Sequence, residues 1–317
     1  NINAPANVGN FSIMNRKDFL QRSLSASLLI GAGAFPFEAF AKTHGFQKIT
    51  ILHTNDQHSR IDPFPLDGGK YQGQGGCERR LALVEKIRSE EKHVMLLDCG
   101  DIFQGTPYFN KYRGKVEIEL MNQMRYDAAT IGNHDFDGGL DNLGVRMNEA
   151  NFQFLNANYS IANTPLQKMK HYKVFKYDHI KVGVFAVGIE LDGLVPELLY
   201  GETKYNDPIA AAQKTADRLK YDEHCDVVIC LSHLGYSYEE KKVSDVVLAK
   251  ETNNIDLILG GHTHTFFTQP KTYENKAGET VLINQVGWAG LMLGRIDLYF
   301  DDKKRKEIAK KSPIKIG

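Results

Sequence analysis

"KITILHTNDQH", Lys48 to His58, reads as a short buried strand that runs into a polar loop carrying Asp56 and His58. The same grammar returns in "HVMLLDCGD" (His93 to Asp101), "DAATIGNHDF" (Asp127 to Phe136), "DVVICLSHLG" (Asp226 to Gly235) and "IDLILGGHTH" (Ile255 to His264). Between these runs the apolar spacing turns helical. Helices are expected near Glu78 to Glu91, around Val116 to Met124, after Asp137, from Pro208 to Tyr221 and from Tyr238 to Glu251. "FQFLNANY" (Phe152 to Tyr159) reads as a further strand, and "YKVFKYDHIKVGVFAVG" as a hairpin turning at Asp178 and His179. The β-rich end, "ETVLINQVGWAGLMLGRIDLYF", closes a layered α/β pattern.

Each polar cluster sits where a strand stops: Asp56 and His58, Asp101, Asn133 and His134, His233, and His262 and His264. In open α/β sheets, ligand sites assemble at the carboxyl ends of strands, so these segments are expected to converge. In an extended chain, side chains two apart project to one side, which would let Asp56 with His58, and His262 with His264, each grip a common centre. Gly260 and Gly261 are expected to let the backbone turn tightly before the last pair. Imidazole, carboxylate and amide oxygen together suit Mn, Zn or Fe better than Mg. So many ligands suit two divalent ions about 3.5 to 4 Å apart rather than one.

The set D-x-H (Asp56, His58), G-D-x-x-Q-G-T (Gly100 to Thr106), G-N-H-D-F-D (Gly132 to Asp137), His233 and G-H-T-H (Gly261 to His264) resembles the calcineurin-like metallophosphoesterases. More narrowly, "ILHTNDQH", "GDIFQGTPYF" and "GNHDFD" resemble the N-terminal catalytic domain of secreted bacterial 5′-nucleotidases. The resemblance implies a four-layer α/β/β/α sandwich of two mixed sheets flanked by helices. It implies one metal on Asp56, His58, Asp101 and His264, and another on Asp101, Asn133, His233 and His262, with Asp101 as the bridge. His134 would meet the substrate, with Asn133 beside it, and Asp137 would orient the His134 ring. The implied reaction is hydrolysis of a phosphate monoester by in-line attack of a metal-bridging hydroxide. A cyclic-nucleotide or other phosphodiesterase, and a metal-binding module without turnover, are the alternatives. The family's nucleotidases usually carry a second domain that clamps the base, whereas this chain ends at Gly317. A separate nucleotide-binding protein acting in trans, a longer parent chain, or a smaller phosphoester substrate would each account for that.

A chain of 317 residues with 42% apolar content can bury a large core, so one main domain over 46–317 is expected, behind a leader over 1–45. Lys plus Arg balances Asp plus Glu at 39 each, which argues against a nucleic-acid partner; the run Lys303 to Lys311 reads as a solvated face. The leader has a basic start, an apolar stretch from Leu24 to Phe37 and small residues Ala39 and Ala41. It reads as an export signal of twin-arginine type with Arg16-Lys17, delivering a periplasmic product without a stable membrane anchor. Cys77, Cys99, Cys225 and Cys230 read as mostly buried thiols, with a Cys225–Cys230 bridge left open. His53 is either a core residue or a partner of the metal ligands. Arg79 or Arg80 either contacts phosphate or lines a solvated helix, and Trp288 either packs or forms a rim. His44, His93, His171, His179 and His224 lie outside every motif.

Overall fold

The computed structural model describes Ala41 and residues 45–317; the leader reading, Ala41 and Gly45 apart, lies outside the described residues. In chain order the strands are β1 (Gln47–Thr54), β2 (Val94–Asp98), β3 (Ala128–Ala129), β4 (Gln153–Phe154) and β5 (Tyr159–Ser160). They continue with β6 (Tyr172–Tyr177), β7 (Ile180–Gly188), β8 (Lys204–Tyr205), β9 (Val227–His233) and β10 (Leu257–Gly260). The last are β11 (Lys271–Glu274), β12 (Thr280–Asn284), β13 (Met292–Phe300), β14 (Lys306–Lys310) and β15 (Ile314–Lys315). One large sheet has the order β14-β13-β1-β2-β3-β4, with β15 also on β13; the other large sheet has the order β11-β12-β10-β9-β7-β6, and β5 and β8 form a small separate pair. Strands β1 to β4 are parallel, as are β7, β9, β10 and β12, while β13 and β6 add antiparallel neighbours. Both sheets are therefore mixed.

Period-two alternation assigns each strand face to a layer. Ile49, Ile51 and Leu97 of the first sheet meet Val182, Ile229 and Leu259 of the second in a dry seam. From the opposite faces, Leu52 and Leu96 pack on Val84 and Ile87 of the helix Cys77–Glu90 and on Ile118 and Met121 of the helix Lys115–Gln123. Val228, Cys230 and Ile258 pack on Ala212 and Ala216 of the helix Pro208–Asp217 and on Leu248 of the helix Asp245–Glu251. Burying each large aliphatic side chain contributes about 1.5–3 kcal/mol, so the three layers of contact carry most of the fold's stability. The outcome is the expected α/β/β/α sandwich.

Four boundaries differ from the sequence reading. The last helix begins at Asp245 rather than Tyr238, because Ser244 caps it through Val247 N while Tyr238 Oη is spent on Leu234 O. The regular part of the preceding helix ends at Asp217, and Arg218–Asp222 widen into a π turn. "FQFLNANY" yields only β4 and β5, because Asn156 Oδ1 accepts from Asn158 N and Tyr159 N and bends the chain. The basic run folds in part as the edge strand β14, with Lys306 paired to Asp256. The hairpin turns at Asp178-His179 as expected, with Tyr177 opposite Ile180. All four cysteines are free and buried.

Candidate metal centre

The loops after β1, β2, β3, β9 and β10 meet at one edge of the sandwich. Asp56, Asp101 and His233 are almost fully buried there, and His58 and Asn133 nearly so. Two groups of donor atoms form, Asp56 with His58 and His264, and Asp101 with His233 and His262; within each, the atoms lie within 4.8 Å of one another. Asp101 Oδ2 faces both, 3.1 Å from His233 Nε2 and 3.8 Å from His58 Nε2. Asp56 Oδ1 also reaches across, 3.4 Å from His264 Nε2 and 4.0 Å from His233 Nε2. Asn133 Oδ1 lies 2.9 Å from His262 Nδ1, which places the amide beside the second group.

The backbone brings these side chains in by a different route from the one expected. Asp56 (φ 50°), His58 (48°), Asp101 (53°), His262 (71°) and His264 (52°) all adopt the left-handed conformation, so convergence comes from curled loops beyond the strand ends. Nor do Gly260 and Gly261 supply the turn, since neither has a positive φ. They permit close approach: a Cβ on Gly260 would overlap Asp245 Oδ2, and one on Gly261 would press on Cys99 O and His233 Nδ1 at 3.0 Å. Gly132 is crowded in the same way, for its Cβ would overlap Asp101 Oδ1 and His233 Nε2.

Hydrogen bonds around the ligands set their orientation, and several come from residues the sequence reading missed. Asp135 is fully buried and its carboxylate accepts from Gly132 N, Asp101 N, Ile102 N and Phe103 N at 2.8–3.0 Å, tying the Asp101 and Asn133 loops together. Burial, then the nearby Asp101, raises its pKa to about 7. Asn55 donates to Asp56 Oδ2 (2.6 Å) and to Gly287 O, and accepts from Val286 N, which pins the first loop to the segment after β12. His233 Nδ1 donates to Cys99 O at 2.7 Å, so its Nε2 faces the site. Only the D in G-N-H-D hinted at any of this.

His134 opens a 3₁₀ turn, His134–Phe136, and its Nδ1 lies 2.8 Å from Asp137 Oδ2. Its side chain is 38% exposed and its ring meets that of His58 edge-on at 5.3 Å, so it stands at the open side of the cluster. The Asp137 hydrogen bond raises the His134 pKa against the opposing effect of burial. His53, by contrast, is a core residue, fully buried and 2.7 Å from Asn284 Nδ2. Arg79 is exposed on the helix Cys77–Glu90 and donates to the carbonyl of Gly73, in keeping with a solvated face, whereas Arg80 is buried against Cys77. Trp288 takes the rim position, stacked on His264 at 5.6 Å and 3°, with Phe64 and Tyr71 at its edges.

The donor set suits divalent cations. His58 Nε2 and His264 Nε2 face each other at 3.0 Å, and His233 Nε2 is buried facing Asp101 Oδ2 at 3.1 Å. Burial favours neutral His233, yet Asp101 and Asp56 raise its pKa to about 10, which means the pocket attracts positive charge. His262, farther from the carboxylates, is pushed down to about 4 by burial and then by His233, and so presents a neutral imidazole.

Comparison with known proteins points the same way. The family model described as Calcineurin-like phosphoesterase matches residues 49–266. A snake venom 5′-nucleotidase from Crotalus adamanteus is 32% identical over 303 residues, 88% of this chain and 47% of the relative. The human 5′-nucleotidase is 33% identical, over 88% of this chain and 50% of its own length. Among solved structures, a 5′-nucleotidase precursor from Thermus thermophilus superimposes with a TM-score of 0.76 at 30% identity, over 85% of this chain and 55% of that one. The chain thus spans about half the length of these relatives.

Proposed function

The chain belongs to the calcineurin-like phosphoesterases, and from that premise we propose that it hydrolyses phosphate monoesters, nucleotides foremost, with two divalent ions, Mn or Zn. The observation that carries this reading is the pair of donor groups facing across Asp101 Oδ2, with the His134–Asp137 pair at their open side. Asp56, His58, Asp101 and His264 would hold one ion, and Asp101, Asn133, His233 and His262 the other. When bound, the ions would neutralise phosphate charge and supply a nucleophilic water at neutral pH.

The protein's own groups then have distinct tasks. Asp137 accepts the Nδ1 proton of His134, which fixes the ring and leaves Nε2 for the substrate. With its pKa raised, His134 offers a proton to the departing ester oxygen as the P–O bond breaks. Asn133 contacts the phosphoryl group beside it. Domain 46–317 performs this chemistry, and the leader read in Met14 to Lys42 supports export to the periplasm within the same proposal. Among the described residues no helix is long and apolar enough to cross a membrane.

The test is a panel assay of the purified protein with Mn²⁺ or Zn²⁺ against AMP, UDP-sugars, 2′,3′-cyclic nucleotides and an aryl phosphate. Preferred release of phosphate from AMP is expected. Preferential turnover of the cyclic substrates would replace this reading with a phosphodiesterase. Silence on every substrate with both metals bound would leave a binding module.

A further inference from the structure

Directly under the His58 loop lies a small pocket of about 10 Å³, walled by the polar side chains of Ser59, Arg60, Arg80 and Glu117 and by the apolar Ile102 and Leu120. Glu117 comes from the helix Lys115–Gln123 and Arg80 from the helix Cys77–Glu90, and both are nearly fully buried. Five polar atoms there have no protein hydrogen-bond partner: both Glu117 carboxylate oxygens, Arg80 Nε, Arg60 Nε and Ser59 Oγ. A buried carboxylate without hydrogen bonds is too costly to persist, and the donors Ser59, Arg60 and Arg80 line the same pocket. The volume matches roughly one water, and the walls offer the two to four polar partners that a buried water needs.

We propose that this pocket is a site for one ordered water, which accepts from Arg80 or Ser59 and donates to Glu117, and that Glu117 is thereby a positioning residue for His58. His58 and Ser59 are consecutive left-handed residues (φ 48° and 51°), a strained pair held by His58 N to Asp101 O, Ser59 N to Ile102 O and Gln57 Nε2 to Asp98 Oδ2. Those bonds fasten the loop to the segments after β2 and to β2 itself. Cys77 N to Ile61 O and Gln57 Nε2 to Met121 Sδ already tie the loop to the two helices, and the water would add a link at Ser59 itself, so the ring of His58 cannot settle back when a cation pulls on it. The positioning role rests on His58 being a metal ligand; the water site does not.

Two measurements test the pair of claims separately. A crystal structure of the metal-loaded protein at about 1.5 Å or better should show a water peak within hydrogen-bond distance of Glu117 and of Arg80 Nε or Ser59 Oγ. A direct Glu117–arginine pair, or no peak, overturns the water site. Calorimetric titration with Mn²⁺ should show Glu117→Leu weakening one of the two ions about 10- to 100-fold while the other is unchanged, with Glu117→Gln restoring most of the affinity. Equal loss of both ions, or no loss, overturns the positioning role. Should Glu117→Leu fail to fold, Ser59→Ala is read instead, with a weaker loss at the same ion expected and no loss counting against the proposal. Failure of wild-type protein to bind any Mn²⁺ would refute the proposed function and the positioning role together while the water peak still stood.

Discussion

His53 should make the protein acid-sensitive well above the usual range of carboxylate titration. It lies on β1 opposite Gly294 of β13, where a Cβ would overlap its ring, and it is fully buried. Asn284 Nδ2 donates to His53 Nε2 at 2.7 Å, while Nδ1 has no partner, so the pocket accepts a neutral ring only. Burial lowers its pKa from 6.5 to about 3. Because the folded value is depressed, this residue costs nothing above pH 6.5; below that the unfolded chain takes up a proton that the fold refuses, and stability falls until about pH 3. Between pH 7 and pH 5 the loss is about 2 kcal/mol, and it is insensitive to the folded value so long as that stays well below 5. Urea denaturation of wild type and His53→Gln at both pH values, at one fixed metal concentration, isolates the effect, since glutamine keeps a hydrogen bond to Asn284 and does not titrate. Wild type should lose about 2 kcal/mol more than the variant on acidification. Equal losses in the two proteins would refute the reasoning, because His53 would then carry its proton inside the fold.

Three further outcomes follow from the site. His134→Ala should keep both metals by elemental analysis and lower kcat about 10²- to 10⁴-fold; a metal-depleted variant would refute its assignment to the substrate. Asp101→Ala should lose metal from both positions, since its Oδ2 faces an imidazole of each group; full occupancy by the same analysis would count against the bridge. Gly132→Ala should bind metal poorly although it removes no ligand, because the new methyl overlaps Asp101 and His233; wild-type occupancy would show that the loops can yield there.

The layers were legible because alternation along β1, β9 and β10 carries the core on both faces, and the donors were legible because each closes a strand. What escaped was set by tertiary partners. Asp135 looks like one more acidic residue until four backbone N–H groups from two loops arrive at it. Asn55 gains its role only when Val286 and Gly287 come across from the segment after β12. The expected extended geometry of Asp56-x-His58 failed because the polar loops begin sooner than the spacing suggests, and φ has no direct signature in D-x-H. Trp288 carried a packing signal, and its stack on His264 depends on a loop conformation that the local sequence does not specify.

The left-handed backbone at Asp56, His58, Asp101, His262 and His264 couples conformation to chemistry. Apart from glycine, Asp, Asn and His are the residues that tolerate this region best, and Asp and His are also the ones that bind cations. Selection at these five positions therefore acts twice on one choice, and the routes open to mutation are narrow. Asp101→Asn leaves the turn intact and alters only the charge, whereas a β-branched replacement would strain the loop and remove the donor together. Variation that retunes this centre for another ion would accordingly exchange Asp, Asn and His among themselves while the loop paths stay as they are.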